Sequence, residues 1–148
     1  MNSKILSIAV PCYNSQAYME KCIDSLLEGG EEVEIIIVDD GSAKDDTAAI
    51  ADGYAEKYPT IVKAVHQENG GHGEAVNTGL ANATGAFFKV VDSDDWVDKK
   101  AYRKLLDIMK KSLADDDKLD MLISNFVYDK QSYIRTTPSA GCVPLWDR

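Results

Sequence analysis

Cysteine, long apolar runs and positive charge are all scarce in this chain, and each scarcity excludes something. The three cysteines, Cys12, Cys22 and Cys142, are odd in number and none of their spacings is that of a metal site, so neither a disulfide framework nor a zinc knuckle is expected. Reduced thiols in a reducing compartment are the simplest account. Cys22 falls on the apolar stripe of a helical pattern and reads as a small core residue. Cys12 sits at a strand end, where it is either another core residue or a reactive thiol. Apolar runs last only a few residues, far short of the roughly 20 that a membrane span needs. Met1-Asn2-Ser3-Lys4 leads directly into a strand pattern rather than a signal peptide, so a cytoplasmic domain is expected. Basic residues number 16 against 25 acidic, a net charge of −9. That balance argues against nucleic acid as a partner and against a purely electrostatic hold on anionic lipid. A metal ion can still recruit an anionic ligand to an acidic site, so the balance does not exclude a nucleotide.

What is present suits one α/β domain. At 148 residues and 45% hydrophobic content the chain is long enough for an ordinary core. Residues 5–10 read as a first strand broken by Pro11, with Asn14 or Ser15 capping the helix that follows. Tyr18, Met19, Cys22, Ile23, Leu26 and Leu27 repeat at helical spacing before Gly29-Gly30. The β-branched run 33–38 reads as a strand buried on both faces. A helix is expected over 44–58, a third strand over 61–65 and a small-residue helix after the loop 69–73. A fourth strand over 87–91 leads to a helix capped by Asp98, and residues 121–128 read as a fifth strand. Strand and helix thus alternate repeatedly, which predicts a mostly parallel sheet with right-handed crossovers and helices on both faces. Ligands of such sheets bind at the carboxyl ends of the strands.

Polar clusters fall at those ends. Val90-Val91 runs straight into Asp92-Ser93-Asp94-Asp95, and like charges this close resist ionising together unless a cation or donors stabilise them. One acid there would serve as a helix cap, but Asp98 already does so. The surplus suggests a hard divalent ion held by one or two carboxylates and a phosphate substrate. Asp94 is the expected direct ligand, while Asp92 either binds ribose or orients the metal shell. Upstream, 35–38 ends in Asp39-Asp40-Gly41-Ser42, which is either a turn with Ser42 as a cap or a pair of acceptors for a ring N–H or sugar hydroxyl. Tyr13, after Pro11 and Cys12, is either a core aromatic or a platform for a base. Asn69-Gly70-Gly71-His72-Gly73 lets backbone approach a ligand closely, but it has neither dinucleotide nor P-loop spacing. His72 is either solvated or a ligand, and Asn77 is a structural anchor or a sugar contact.

Assembled, these residues resemble the family 2 glycosyltransferases, an inverting group with the GT-A fold. The likeness covers roughly residues 4–128. Ile8-Ala9-Val10-Pro11-Cys12-Tyr13-Asn14 looks like the family's opening strand, and Ile37-Val38-Asp39-Asp40-Gly41-Ser42 like its second signature. Asn69-Gly70-Gly71 through Asn77-Thr78-Gly79 is similar to its glycine loop and helix, and Asp92-Ser93-Asp94-Asp95 to its Asp-x-Asp motif.

The resemblance implies a Rossmann-like sheet and a nucleotide-diphosphosugar site, with the GT-A domain over 1–128. Residues 129–148 are then an irregular tail or the start of an acceptor-side half, the chain being truncated. Pro11 and Tyr13 would line uracil or another base. Asp40 would hydrogen-bond it with Asp39 behind, and Asn14, Gly70, Gly71, Asn77 and Ser93 would complete the donor site. Asp92 would touch ribose or sugar, and Asp94 with Asp92 would hold Mn²⁺ or Mg²⁺ against the diphosphate. The implied reaction moves a sugar, with inversion, from a UDP-sugar to the hydroxyl of a carbohydrate or lipid-linked acceptor during polysaccharide or glycoconjugate synthesis. The full-length protein would then be cytoplasmic or peripheral to the inner face of the membrane.

Val76 stands where the family usually has Arg. The catalytic base of the family lies well beyond the metal motif, so no residue of this chain is nominated for it and it is expected past Arg148. Residues 1–148 alone are expected to be inactive. A non-catalytic nucleotide-sugar-binding module is the alternative. A receiver-type signalling domain fits less well, since it wants its paired acids after the first strand.

Overall fold

The β-branched run after Glu32 becomes the second strand of a four-stranded sheet in a computed structural model that describes residues 4–115 and 119–128. The elements in chain order are β1 (Leu6–Cys12), α1 (Met19–Leu27), a 3₁₀ turn (Gly30–Glu32), β2 (Val33–Asp40), α2 (Thr47–Lys57), β3 (Val62–Gln67), α3 (His72–Ala81), β4 (Phe87–Val90) and α4 (Lys99–Ala114). Every pairing is parallel, in the order β3-β2-β1-β4. The chain therefore builds outward from β1 in one direction and then returns to its other side. This reversal places a topological switch point between β1 and β4, where open α/β sheets bind ligands.

Side chains of β2 alternate between two cores, as a strand's period of two requires. Val33, Ile35 and Ile37 join Ile8, Val10 and Cys12 against Cys22, Ile23 and Leu26 of α1, Ala51 of α2 and Tyr102, Leu106 and Met109 of α4. Ile36 and Val38 face the other way, onto Ala75 of α3. Helices thus cover both faces. Truncating a fully buried isoleucine such as Ile35 should cost about 2–5 kcal/mol. The small residues of α3 have a steric reason. A Cβ on Gly79 would lie 2.5 Å from the Ala9 Cβ, so the absence of a side chain lets α3 sit directly on the sheet.

Several expectations from the sequence need correction. Pro11 does not break β1, because the strand continues to Cys12, with Pro11 paired to Val38 and Cys12 to Asp39. The ladder with β4 has ended at Ala9 and Val90, so the missing N–H of Pro11 removes no rung on that side. Neither Asn14 nor Ser15 caps α1 through its side chain. Instead the Ser15 carbonyl accepts the Tyr18 and Met19 N–H groups and its hydroxyl accepts from Tyr13 N at 3.1 Å. Ser42 likewise does not cap α2, which starts at Thr47, where the Thr47 N–H donates to Asp45 Oδ1 at 3.1 Å. Asp98 does cap α4, accepting from Ala101 N at 2.9 Å. Residues 121–128 form no strand, and Met121, Ile123, Phe126, Val127 and Tyr128 are exposed. Their alternating apolar character is not enough without a ladder partner among the described residues, since a strand is stable only when its backbone groups are paired. Cys142 and the expected tail over 129–148 lie outside the described residues.

Candidate nucleotide-sugar site

The carboxyl ends of β1, β2 and β3 and the turn after β4 bring the polar clusters into one hydrogen-bonded assembly. Ser15 Oγ and Ser93 Oγ meet at 3.0 Å across the switch point, both buried. The Asn14 N–H donates to Ser42 Oγ at 2.9 Å, and the Lys44 N–H returns a bond to Asn14 Oδ1 at 3.2 Å. Ser15 N donates to Thr47 Oγ1 at 2.7 Å, Gln16 N to Asp45 Oδ2 at 3.0 Å and Asp46 N to Gln16 Oε1 at 3.0 Å. The loop after β1 is therefore stitched to the loop after β2. Asn14 takes a left-handed φ of 49°, a conformation asparagine tolerates better than most residues, and the adjacent Tyr13 is left half exposed.

Asp39 and Asp40 are consecutive and so face opposite sides of the sheet. Both are buried. Asp40 meets the glycine loop, with Oδ1 accepting from Gly70 N at 2.8 Å and Gln67 Nε2 at 2.7 Å, and Oδ2 from Gly71 N at 2.9 Å. Burial alone would raise its pKa, but these donors outweigh it and hold the carboxyl below its usual range. Asn69 Nδ2 adds a bond to the Asp40 carbonyl at 3.1 Å. Gly41, at φ 72°, sits so close to this loop that a Cβ would lie 2.8 Å from Asn69 N. Glycine is required there for both backbone conformation and space. Asp39 meets the other face, with Oδ1 accepting from Ser42 N at 3.0 Å and Oδ2 lying 3.1 Å from His66 Nδ1.

On the far side of β1, Asp92 and Asp94 are exposed. His72, the first residue of α3, places Nε2 2.9 Å from Asp92 Oδ1. The glycine loop is consequently fastened at two points, to Asp40 beyond β2 and to Asp92 beyond β4. Asn77 is exposed and its side chain makes no hydrogen bond among the described residues, so the structure shows no anchoring contact for it. Pro11 is buried within β1 and sets the backbone that leads to Tyr13. Cys12 is buried too, and burial pushes its thiol up to about 12, which removes the reactive-thiol alternative.

Residues 7–133 match the family model for glycosyl transferase family 2. The chain belongs to that family. Among curated relatives of this family 2 chain, an uncharacterized glycosyltransferase EpsJ of Bacillus subtilis is 38% identical over 134 residues, covering 90% of the chain but 36% of the relative. Glycosyltransferase GlyG of Streptococcus pneumoniae is 33% identical over 147 residues, covering 95% of the chain and 46% of that protein. The chain therefore spans between about a third and a half of these relatives' lengths. Among solved structures, S. aureus TarS 1-349, also solved in complex with UDP, superposes with a TM-score of 0.62 at 32% identity, over 74% of this chain and 33% of that one. The mannosyltransferase PcManGT from Pyrobaculum calidifontis, in complex with GDP-Man and Mn²⁺, gives 0.56 at 29%, over 65% and 29%. The expected GT-A, Rossmann-like architecture is what the family 2 chain has.

Sequence reasoning passed over several residues of this network, taking Ser15 only as a candidate helix cap. Ser15, Thr47, Gln67 and His66 all sit in the network, and none carries a motif of its own. For Ser15 and Thr47 the available signal was a polar residue that ends up buried beside a strand terminus. For His66 and Gln67 it was the last residues of a strand paired with Asp39 and Asp40, which only the register of β2 with β3 reveals.

Proposed function

We propose that this family 2 chain holds the nucleotide-diphosphosugar donor, in first place a UDP-sugar, of a glycosyl transfer to an acceptor hydroxyl with inversion. The observation that carries the reading is the division of the acids at one sheet edge. Asp39 and Asp40 are buried and fully engaged in positioning loops, whereas Asp92 and Asp94 stand exposed beside the switch point. Tyr13, on the stitched loop after β1, offers an aromatic face for the base. Gly70 and Gly71 present backbone beside Asp40, and Ser93 fixes the turn that carries Asp92 and Asp94. Asn77, exposed on α3, is free to reach the sugar.

Among the described residues no group of three or more His, Cys, Asp and Glu is gathered to hold a metal alone. Two exposed carboxylates nonetheless fit Mn²⁺ or Mg²⁺, hard ions that complete their shells with water and phosphate oxygens. Asp94 would bind the ion, with Asp92 as second carboxylate or sugar contact. When bound, the ion supplies positive charge against the departing diphosphate. This chain's own residues orient the donor: the Tyr13 loop is held by Ser42 and Thr47, and the glycine loop by Asp40. The proposal places no base among the described residues, and residues 1–148 are expected to bind donor with little transfer. The acceptor class remains a carbohydrate or a lipid-linked acceptor, and the pathway one of polysaccharide or glycoconjugate synthesis. No described helix is long and apolar enough to cross a membrane. The full-length protein is assigned to the cytoplasm or the inner membrane face.

Calorimetric titration with UDP tests the reading. Binding should tighten at least tenfold when Mn²⁺ is present, and Asp94→Ala should remove that gain while leaving metal-free binding alone. Equal UDP affinity with and without metal would overturn the role of Asp94. Robust sugar transfer by residues 1–148 would overturn the absence of a base.

A further inference from the structure

His66 lies directly across from Asp39 in the register of β3 with β2, on the face covered by α2. Its two ring nitrogens both meet carboxylates. Nδ1 is 3.1 Å from Asp39 Oδ2 and Nε2 is 2.8 Å from Asp52 Oδ1 on α2. Ionised carboxylates only accept hydrogen bonds, and a neutral imidazole has a single N–H. Satisfying both contacts therefore requires the imidazolium. The charged groups facing the ring are Asp52 from α2 and Asp39 from β2, and in that order they raise its pKa above the ordinary histidine value.

The contact has a route to the ligand. Asp39 is buried, and its other oxygen accepts the Ser42 N–H. The Ser42 hydroxyl in turn accepts from Asn14 N, next to the exposed Tyr13. Rotation of the Asp39 carboxylate would release the Ser42 N–H and loosen the bond nearest Tyr13, while the bonds through Lys44, Thr47, Asp45 and Gln16 still join the loops after β1 and β2. Asp52 itself is exposed on α2 and takes part in none of the site's other bonds, so it senses solvent without touching the proposed ligand.

We propose that His66 is a positioning residue for the nucleotide end of the site, a charged clasp that fixes Asp39 and, through Ser42, the Tyr13 loop, so that nucleotide affinity falls when the clasp loses its proton. The proposal rests on the nucleotide-sugar reading of this edge. The direction follows from the raised pKa: the clasp's contribution is complete below the unfolded histidine value and is lost as pH rises through the folded one.

The test is UDP affinity with Mg²⁺, measured by calorimetry across the titration of His66, whose own midpoint is followed through its ring-carbon NMR signal. In the wild-type chain UDP should weaken about tenfold through that midpoint, the lower end of what the loss of one charge-assisted hydrogen bond produces. Asp52→Asn, which keeps the side chain's shape but removes its charge, should move both the NMR midpoint and the affinity profile to lower pH together. His66→Gln, whose amide donates without titrating, should bind UDP with a flat profile. If Asp52→Asn shifts the histidine midpoint while the affinity profile stays in place, or if wild-type affinity is flat with pH, the clasp is overturned and the nucleotide reading stands. If the wild-type chain binds no nucleotide at any pH, the nucleotide reading fails and the clasp's function with it.

Discussion

Glu34 at the amino end of the sheet and Asp92 and Asp94 at its carboxyl end are carboxylates in opposite circumstances. At the amino end, Glu34 of β2 is a carboxylate with 2% exposure, surrounded by donors. Ser7 Oγ donates at 2.5 Å, Lys63 Nζ at 2.8 Å, Thr84 Oγ1 at 2.9 Å and Gly85 N at 3.2 Å, and the Thr84 N–H completes the set. Burial by itself would raise its pKa, yet the bonds from Lys63, Ser7 and Thr84 prevail and hold it at about 2. At the carboxyl end, Asp92 and Asp94 are exposed, and what the described residues offer Asp92 is one histidine contact. A carboxylate whose acceptor capacity is fully used has a structural task, here joining β1, β2, β3 and the segment that enters β4. Carboxylates left open at a switch point are available to a ligand. The same residue type thus separates scaffold from site by the donors around it rather than by its sequence.

The largest effect should come from breaking the satisfied end. Glu34→Ala leaves the Ser7, Thr84 and Gly85 donors without their acceptor and should cost about 3 kcal/mol in chemical denaturation. A loss below about 1 kcal/mol would contradict the structural role. The pH dependence has the matching sign. Because the folded pKa lies below the unfolded value of 4.5, the carboxylate's contribution is complete above that value and disappears as pH falls toward about 2. Glu34→Gln should flatten stability across that window, as acid titration followed by circular dichroism would reveal. Ser93→Ala, which removes the buried link to Ser15, should cost about 1 kcal/mol of stability and also weaken UDP binding, since it frees the turn carrying the acids. The smallest effect belongs to the open end, where Asp94→Ala should change stability by no more than a surface substitution does, about 0.5 kcal/mol. A large destabilisation there would mean that Asp94 is scaffold and the contrast between the ends is false.

Most of the fold was legible in the residues because its signals are local. The run 33–38, the helical stripe from Tyr18 to Leu27 and the capping Asp98 each carry their own pattern, and each forms the element it announces. Local signals failed where tertiary pairing decides. Pro11 reads as a breaker until the early end of β4 shows that no rung is lost on that side, and 121–128 reads as a strand although no ladder partner stands beside it among the described residues. The convergence of the loops after β1, β2, β3 and β4 was legible because parallel α/β topology sends every carboxyl end to one edge. The detailed allocation was not. Which acids would be engaged by donors and which left open depends on strand register and on the opposite facing of Asp39 and Asp40. Asp40 became the fastening of the glycine loop, and Glu34, isolated in sequence among apolar neighbours, gave no hint of its network.

The claim that the open carboxylates await a metal-bound diphosphate is tested most directly by electron paramagnetic resonance of Mn²⁺ titrated into the chain with and without UDP. The free-ion signal should fall stoichiometrically with protein only when UDP is present, should persist with Asp94→Ala, and should fall as in wild type with Glu34→Gln. Undiminished Mn²⁺ binding by Asp94→Ala in the presence of UDP would contradict the account.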